Sequence, residues 1–229
     1  MLTPTRILRQ LPSCNARYYS TNVPKAFDEA SLRLISDRLK NVPKLKFQFV
    51  DDPKNAAVLM PLCTTTDGKP SVLFTIRAAH MRAHKGEISF PGGKQDPEDE
   101  SPRHAALRET MEEIGISNID ILGQYAILPN KHRNLRVHPF VGYIKDPVDV
   151  SKIKYNPDEV ASVFTLPLEY LTDPAICSMQ NFRDSSYKYP VYKTPDDIDV
   201  REIWGLTSFI MSGKDDANKK AMKKVLVFI

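Results

Sequence analysis

Apolar residues recur at helical spacing near the amino terminus and then form short runs between turn sequences. Within residues 26–40 they lie on one helical face, and a proline follows at Pro43, so the spacing predicts a helix there. The apolar runs 57–63 and 71–77 flank the turn sequence DGKP at 67–70. This pattern predicts two strands joined by a turn.

The rest of the chain supplies further segments of both kinds. Strands are predicted over 118–128, 136–144 and 159–165. Helices are predicted over 102–114, in a short segment after Pro167, over 201–212 and over 215–226. Strands and helices do not alternate regularly, which favours an α+β sandwich with a mixed β-sheet over a parallel doubly wound sheet.

Composition narrows the class of protein. A length of 229 residues fits one domain with extensions, because domains average about 150 residues. Hydrophobic residues make up 41% and charged residues 26%, as in ordinary globular chains. No apolar run approaches the roughly 18 residues that cross a bilayer, so we expect no membrane span. The three cysteines contain no CxxC pair, which indicates a reducing compartment.

The amino terminus has the composition of a targeting sequence. The first acidic residue is Asp28, and three arginines lie among serines and threonines before it. Such a leader is typical of mitochondrial transit peptides. We therefore expect a transit peptide at 1–24, a single domain over 25–229 and a location in the mitochondrial matrix. A disordered basic tail is the alternative, with a peroxisomal or cytoplasmic location.

The charge balance changes once this leader is set aside. Subtracting its three arginines from 32 basic residues leaves 29, against 28 acidic residues. The remainder therefore has no excess positive charge of the kind that binds nucleic acid. A small-molecule substrate is the more consistent partner.

The predicted helix at 102–114 has clear end signals. Ser101 can cap its amino terminus, Pro102 suits the first turn, and Gly115 suits the end. At about 100° per residue, one arc is apolar and is expected to pack. Its members are Leu107, Met111 and Ile114.

Three carboxylates share the opposite arc of this helix. Glu109, Glu112 and Glu113 repel one another at these spacings, and Arg108 offsets only part of that cost. A divalent cation bound between these carboxylates would offset their repulsion. Clustered oxygen ligands are typical of Mg²⁺ or Mn²⁺ sites in phosphoryl transfer. A solvated acidic face is the alternative for this spacing alone.

The surrounding sequence carries a longer motif. Residues 93–116 resemble the Nudix box, G-x5-E-x7-R-E-U-x-E-E-x-G-U, in which U is aliphatic. The matching residues are Gly93, Arg108, Glu109, Glu112, Glu113, Gly115 and Ile116. Thr110 occupies the first aliphatic position, and the loop before Arg108 is one residue longer than the general pattern. Asp99 or Glu100 can serve as the first acid.

A second motif ends where the box begins. Residues 73–93, LFTIRAAHMRAHKGEISFPGG, resemble the signature of the coenzyme A diphosphatase branch of the Nudix family, L-L-T-x-R-[SA]-x3-R-x3-G-x3-F-P-G-G. Phe74 replaces the second leucine. Members of this branch have the same one-residue extension in the loop. The resemblance extends more weakly to the sequences NPDEV at 156–160 and IWGLT at 203–207.

This resemblance implies a fold and an activity. The expected fold is a Nudix-type α/β/α sandwich with a mixed sheet and a catalytic loop-helix-loop. The implied reaction cleaves the pyrophosphate bond of coenzyme A and acyl-CoA derivatives, giving (acyl)phosphopantetheine and adenosine 3′,5′-bisphosphate. The alternative is a Nudix hydrolase of oxidised nucleoside triphosphates or ADP-ribose-type nucleotides. Acyl preference, Mg²⁺ versus Mn²⁺ and oligomeric state stay open.

The resemblance also implies roles for the acidic residues. Glu109 and Glu113 are the expected principal metal ligands, and Glu112 is a further ligand or the catalytic base. Arg108 would orient Glu109. Glu159 is a second candidate base, with a surface carboxylate as the alternative.

Four residues upstream are candidates to bind substrate. Arg77 and Arg82 could hold the diphosphate or the 3′-phosphate, because guanidinium groups bind phosphate through two hydrogen bonds. Solvated arginines are the alternative. Gly92 and Gly93 would let backbone N–H groups approach phosphate closely.

Overall fold

The computed structural model describes residues 24–42, 46–81, 84–181 and 188–212. The helices are α1 (Glu29–Lys40), α2 (Pro102–Ile114), α3 (Leu168–Thr172) and α4 (Gly205–Ser212). The strands are β1 (Lys54–Thr65), β2 (Pro70–Arg77), β3 (Ile88–Ser89), β4 (Gly92–Lys94), β5 (Ile119–Gln124), β6 (Leu128–Pro129), β7 (Leu135–Val148), β8 (Val160–Pro167), β9 (Cys177–Asn181), β10 (Lys188–Lys193) and β11 (Glu202–Ile203).

Most predicted elements are present. The helix over 102–114 has the predicted bounds, and α3 follows Pro167 as expected. The predicted strand 118–128 is divided into β5 and β6. The helix predicted over 201–212 was wrong at its start, because residues 202–203 pair with β10 and Gly205 begins the helix with a positive φ of 66°. The helix predicted over 215–226 lies outside the described residues.

The main sheet is mixed, as predicted. Its central strand β1 pairs in parallel with β7 and antiparallel with β2, and β8 and β5 lie further out. The segment 88–94 enters between β1 and β2. Its first part, β3, pairs with β2, and its second part, β4, pairs with β1. The segment therefore separates the ends of two central strands and passes directly through the region that holds the site.

Both faces of this sheet are covered. Successive side chains of a strand point to opposite faces, and β1 follows that rule. Ala57 and Leu59 pack in a cluster with Ala105 and Ala106 of α2. The other face carries the larger core, to which β1 contributes Met60 and α1 contributes Ile35 and Leu39. The fold is therefore the α+β sandwich with a mixed sheet that the sequence predicted.

A second, three-stranded sheet follows β8. It has the order β11-β10-β9, and α4 packs on β10. Its buried residues, including Tyr192 and Ile203, join the larger core. In α4, the buried Thr207 hydroxyl donates to the Ile88 carbonyl oxygen at 3.2 Å and ties the helix to β3. The limits of the single domain predicted over 25–229 stay a prediction.

A membrane-spanning helix would need a long apolar stretch. Among the residues with described positions, no helix has the length and hydropathy to cross a bilayer.

Candidate active site

Helix α2 begins and ends as its sequence predicts. The Ser101 side chain accepts a hydrogen bond from the His104 backbone N–H at 3.2 Å, and Gly115 adopts a left-handed conformation with φ 70°. The predicted packing arc was wrong at Met111, which is 50% exposed, whereas Ile114 is buried as predicted. Instead Ala105 and Ala106 are fully buried against the sheet. Their small side chains allow close approach of the helix.

This rotation places Glu113 against the sheet instead of in solvent. Its side chain is 2% exposed, so the prediction of an exposed carboxylate face was wrong at this position. The cause is that Thr110, which is also fully buried, shares the packing face with Glu113 through a spacing of three residues. The Thr110 hydroxyl donates to the Ala106 carbonyl oxygen at 2.7 Å, which satisfies it within the helix.

Three carboxylates meet beside the ends of β2 and β4. Each of Glu109, Glu113 and Glu159 offers an oxygen, and these atoms lie within 4.8 Å of one another. The first two come from α2, and Glu159 comes from the turn before β8. This turn is fastened to the helix, because the Asn156 N–H donates to the Glu113 carbonyl oxygen at 2.9 Å. The sequence had singled out Glu159 as a base, whereas its position also makes it a candidate ligand.

The electrostatics of this group fit a bound cation. Burial and the nearby carboxylates of Glu109 and Glu159 raise the pKa of Glu113 to about 8, although Arg77 opposes the rise. Burial also raises the pKa of Glu109. The Glu113 Oε2 atom is buried and has no hydrogen-bond partner. An all-oxygen set with one unsatisfied buried oxygen matches the preference of Mg²⁺ and Mn²⁺.

Glu112 faces a different direction. Its carboxylate is 52% exposed and pairs with Arg108, with Nη1 and Oε2 2.8 Å apart. The structure therefore places it outside the group of three carboxylates. Its roles as ligand or base stay predictions.

Arg108 connects the helix to the preceding loop. Its Nε and Nη2 donate to the two carboxylate oxygens of Asp99 at 3.0 and 2.9 Å, and Nη2 also donates to Glu109 at 3.2 Å. These hydrogen bonds from Arg108 hold the pKa of the buried Asp99 carboxyl at about 2. The sequence left Asp99 and Glu100 as alternatives for the first acid of the box, and Asp99 is the one that contacts Arg108. The contact with Glu109 supports the predicted orienting role.

We expect Asp99→Asn to destabilise the protein by about 1.5–3 kcal/mol at neutral pH, because a charge-assisted pair is lost. The pKa of Asp99 is lowered from 3.8 to about 2, so its stabilisation is present above pH 3.8 and is lost as pH falls towards 2. Urea unfolding at several pH values should show the two proteins converging in this interval. Asp96→Asn is the control, because this more exposed carboxylate lies 3.5 Å from Arg108. A constant difference across the interval would contradict the assignment.

Neither of the two predicted substrate-binding glycines has room for a side chain. A Cβ atom on Gly93 would collide with the Glu109 carboxylate, and one on Gly92 would collide with the Ala57 carbonyl oxygen and the backbone of Val58. Gly92 has a φ of 149°, which side chains rarely adopt. The lack of a side chain at Gly93 therefore leaves space for the Glu109 carboxylate, and that at Gly92 lets the backbone of β1 approach. Phosphate binding by the two N–H groups stays a prediction.

Of the two arginines predicted to bind substrate, Arg77 lies within the described residues. Arg77 ends β2 and is mostly buried, with Nη1 3.5 Å from Glu113 Oε1. It therefore lies in the wall of the site. Arg82 lies outside the described residues, and its role stays a prediction.

The fold and the site define the class. The NUDIX domain family matches residues 53–185, and the chain belongs to this family. It is therefore a Nudix pyrophosphohydrolase, an enzyme class that generally uses divalent metal ions.

Individual relatives refine this class. Over 217 residues the chain is 31% identical to Nudix hydrolase 3 of Caenorhabditis elegans, covering 86% of this chain and 85% of that protein. Over 166 residues it is 37% identical to the human mitochondrial coenzyme A diphosphatase NUDT8, covering 69% of this chain and 66% of that protein. Among solved structures, a C. elegans Ap4A hydrolase binary complex aligns with 24% identity and a TM-score of 0.41, covering 51% and 81%. The predicted resemblance to the coenzyme A diphosphatase branch is thus confirmed.

Proposed function

We propose that this enzyme cleaves the pyrophosphate bond of coenzyme A and acyl-CoA derivatives, releasing (acyl)phosphopantetheine and adenosine 3′,5′-bisphosphate. One observation carries the proposal: two residues of the coenzyme A diphosphatase signature, Arg77 and Gly93, lie beside carboxylates of α2. Arg77 lies 3.5 Å from Glu113, and Gly93 lies directly against the Glu109 carboxylate. The named activity of the human relative agrees with this substrate.

The chemistry requires a water nucleophile and charge neutralisation. Water adds to one phosphorus atom, the bridging P–O bond breaks, and the water proton passes to a base. Glu109, Glu113 and Glu159 would hold Mg²⁺ or Mn²⁺, with Glu112 as a further ligand or the base; the cation would lower the pKa of bound water and stabilise the charge on the phosphates. Glu159 is the second candidate base. Arg108 keeps Glu109 in place through its hydrogen bond.

Product analysis tests this substrate assignment. The protein is incubated with coenzyme A, acetyl-CoA, ADP-ribose or 8-oxo-dGTP, with Mg²⁺ or Mn²⁺ in each case. We expect adenosine 3′,5′-bisphosphate and a phosphopantetheine product, with kcat/KM highest for a coenzyme A compound. Faster hydrolysis of ADP-ribose or 8-oxo-dGTP would instead assign the enzyme to the alternative class of nucleotide substrates.

Arg77→Ala tests which phosphate this guanidinium binds. Because Arg77 lies beside Glu113, we propose that it binds the diphosphate. In Arg77→Ala, kcat/KM should therefore fall about 10- to 100-fold for both coenzyme A and dephospho-coenzyme A. Lys85→Ala is the control, because Lys85 is an exposed cation in the connection between β2 and β3. A loss confined to coenzyme A would show that Arg77 binds the 3′-phosphate. Arg82→Ala is tested in parallel for the same distinction.

We further propose that the enzyme acts in the mitochondrial matrix. The support is the arginine-rich, acid-poor composition of residues 1–24 and the mitochondrial names of the human and mouse relatives. Residues 1–23 lie outside those that the structure describes. A reporter fused to residues 1–24 should enter mitochondria, and fluorescence microscopy with organelle markers measures this. A peroxisomal or cytoplasmic signal would contradict the proposal.

A further inference from the structure

Two loops meet where Glu159 enters the site. One continues from β2 through residues 78–81, and the other is the turn over 156–159. The Ala78 N–H donates to the Glu159 carbonyl oxygen at 2.9 Å. The His80 Nε2 atom lies 2.8 Å from the Asp158 carbonyl oxygen. Because a carbonyl oxygen only accepts, Nε2 carries the proton and donates.

With the hydrogen bond from His80, the peptide unit between Asp158 and Glu159 is hydrogen-bonded on both sides. The Asp158 carbonyl and the Glu159 N–H belong to the same planar group. The N–H of this group donates to the Asn156 carbonyl oxygen at 3.1 Å, while the carbonyl accepts from His80. The Asn156 side chain also accepts from the Asp158 N–H at 3.1 Å. With both sides of the peptide held, its plane is fixed.

The orientation of this peptide matters because Glu159 must approach two other carboxylates. Glu109, Glu113 and Glu159 present oxygens within 4.8 Å of one another, and like charges at this separation repel. A free turn would rotate the Glu159 side chain away from the group. The contacts to Asn156 hold the turn from the side of α2, and His80 holds it from the side of β2.

We propose that His80 is a positioning residue for Glu159. It holds the Asp158–Glu159 peptide so that the Glu159 carboxylate faces Glu109 and Glu113. This inference rests on the proposed metal-binding role of Glu159. It is not contained in the signature of residues 73–93, where His80 occupies one of the unspecified positions.

Three variants separate this role from general effects. His80→Asn removes the contact, because its amide nitrogen is one bond closer to Cα than Nε2. His80→Gln retains a donor at the same number of bonds. His84→Asn is the matched control: His84 lies in the same connection, pairs with Glu87 at 2.8 Å, and has a φ of 57° that asparagine tolerates.

The measurements include two that do not depend on turnover. Mn²⁺ affinity is measured by electron paramagnetic resonance, and exchange of the Glu159 amide hydrogen is measured in metal-free protein. We expect His80→Asn to weaken Mn²⁺ binding and lower kcat/KM about three- to tenfold, the effect of one hydrogen bond. Exchange at Glu159 should accelerate, and the melting temperature should fall by no more than about 6 °C, as expected for the loss of one hydrogen bond. His80→Gln should restore all three values, and His84→Asn should change none.

A double variant tests whether the effect passes through Glu159. In the Glu159→Gln background, His80→Asn should cause no further loss of Mn²⁺ affinity. Full additivity would overturn the proposal, as would unchanged Mn²⁺ affinity and exchange in His80→Asn. Failure of His80→Gln to restore the wild-type values would show that the imidazole itself acts and would also overturn it. Failure of the wild-type enzyme on coenzyme A would reject that substrate alone, since Mn²⁺ binding and exchange still report on His80.

Discussion

Glu113→Gln should lower metal-dependent turnover by more than about 100-fold, because it removes one of the three carboxylates proposed to bind the metal. Loss of a residue that merely supports a metal ligand costs about 10- to 100-fold, and loss of a ligand should cost more. The measurements are kcat and Mn²⁺ affinity, and both should fall. Glu98→Gln makes the same change of charge at an exposed loop position and is the control.

The same substitution should have the opposite effect on stability without metal. The pKa of Glu113 is raised from 4.5 to about 8, so between these values the folded state retains a proton that the unfolded state releases. Stability of the metal-free protein therefore falls as pH rises from about 4.5 to 8. Glutamine does not titrate, so this dependence should be weaker in the variant, which should melt above the wild-type protein at pH 8.

Calorimetry in the presence of a chelator, at pH 5 and pH 8, measures this reversal. Addition of Mn²⁺ should stabilise the wild-type protein and leave Glu113→Gln almost unchanged, because ligands stabilise only the state that binds them. Wild-type turnover in the variant would remove Glu113 from the site. A variant less stable than the metal-free wild-type protein at pH 8 would show that the Arg77 contact outweighs burial.

The two adjacent glycines should respond differently to alanine. Gly93→Ala should fold normally and lose about 10- to 100-fold in kcat/KM, because its Cβ atom displaces the Glu109 carboxylate, which lies at the end of a side chain and not in the backbone. Gly92→Ala should destabilise the protein by about 2–4 kcal/mol. Its φ of 149° is strained for alanine, and its Cβ atom meets the backbone of the neighbouring strand.

Urea unfolding and steady-state kinetics on both variants measure this contrast. Gly68→Ala supplies the control for strain, because Gly68 also has a positive φ of 82° but lies in an open turn. Equal destabilisation in Gly92→Ala and Gly68→Ala would assign the cost to backbone conformation alone. Unchanged kinetics in Gly93→Ala would show that the Glu109 carboxylate can move without loss of function.

Local signals were sufficient to predict α2 and most of the main sheet. Ser101, Pro102 and Gly115 act through their own backbone neighbourhood, so the helix bounds follow from the sequence. The buried face of the helix does not follow in this way. Ala105 and Ala106 are less hydrophobic than Met111, yet they are buried because small side chains permit close packing.

Long-range contacts explain what the sequence pattern missed. Strands β3, β4 and β11 contain two or three residues each, too few to show a clear alternation. The sequence placed Glu113 on the correct helix but in solvent, because its burial depends on the sheet. Grouping Glu159 with two residues of α2 likewise depends on the Asn156–Glu113 backbone contact, which no local pattern encodes.

The parallel pairing of β1 with β7 has a consequence for the order of folding. These strands are far apart in the chain, and the residues of α2 lie between them. Ordering such a long connection before the strands pair is entropically costly, which makes parallel pairing slow. The carboxylates of α2 and Glu159 meet only once the strands on both sides are in register. Metal capture during refolding should therefore coincide with formation of the complete sheet instead of preceding it.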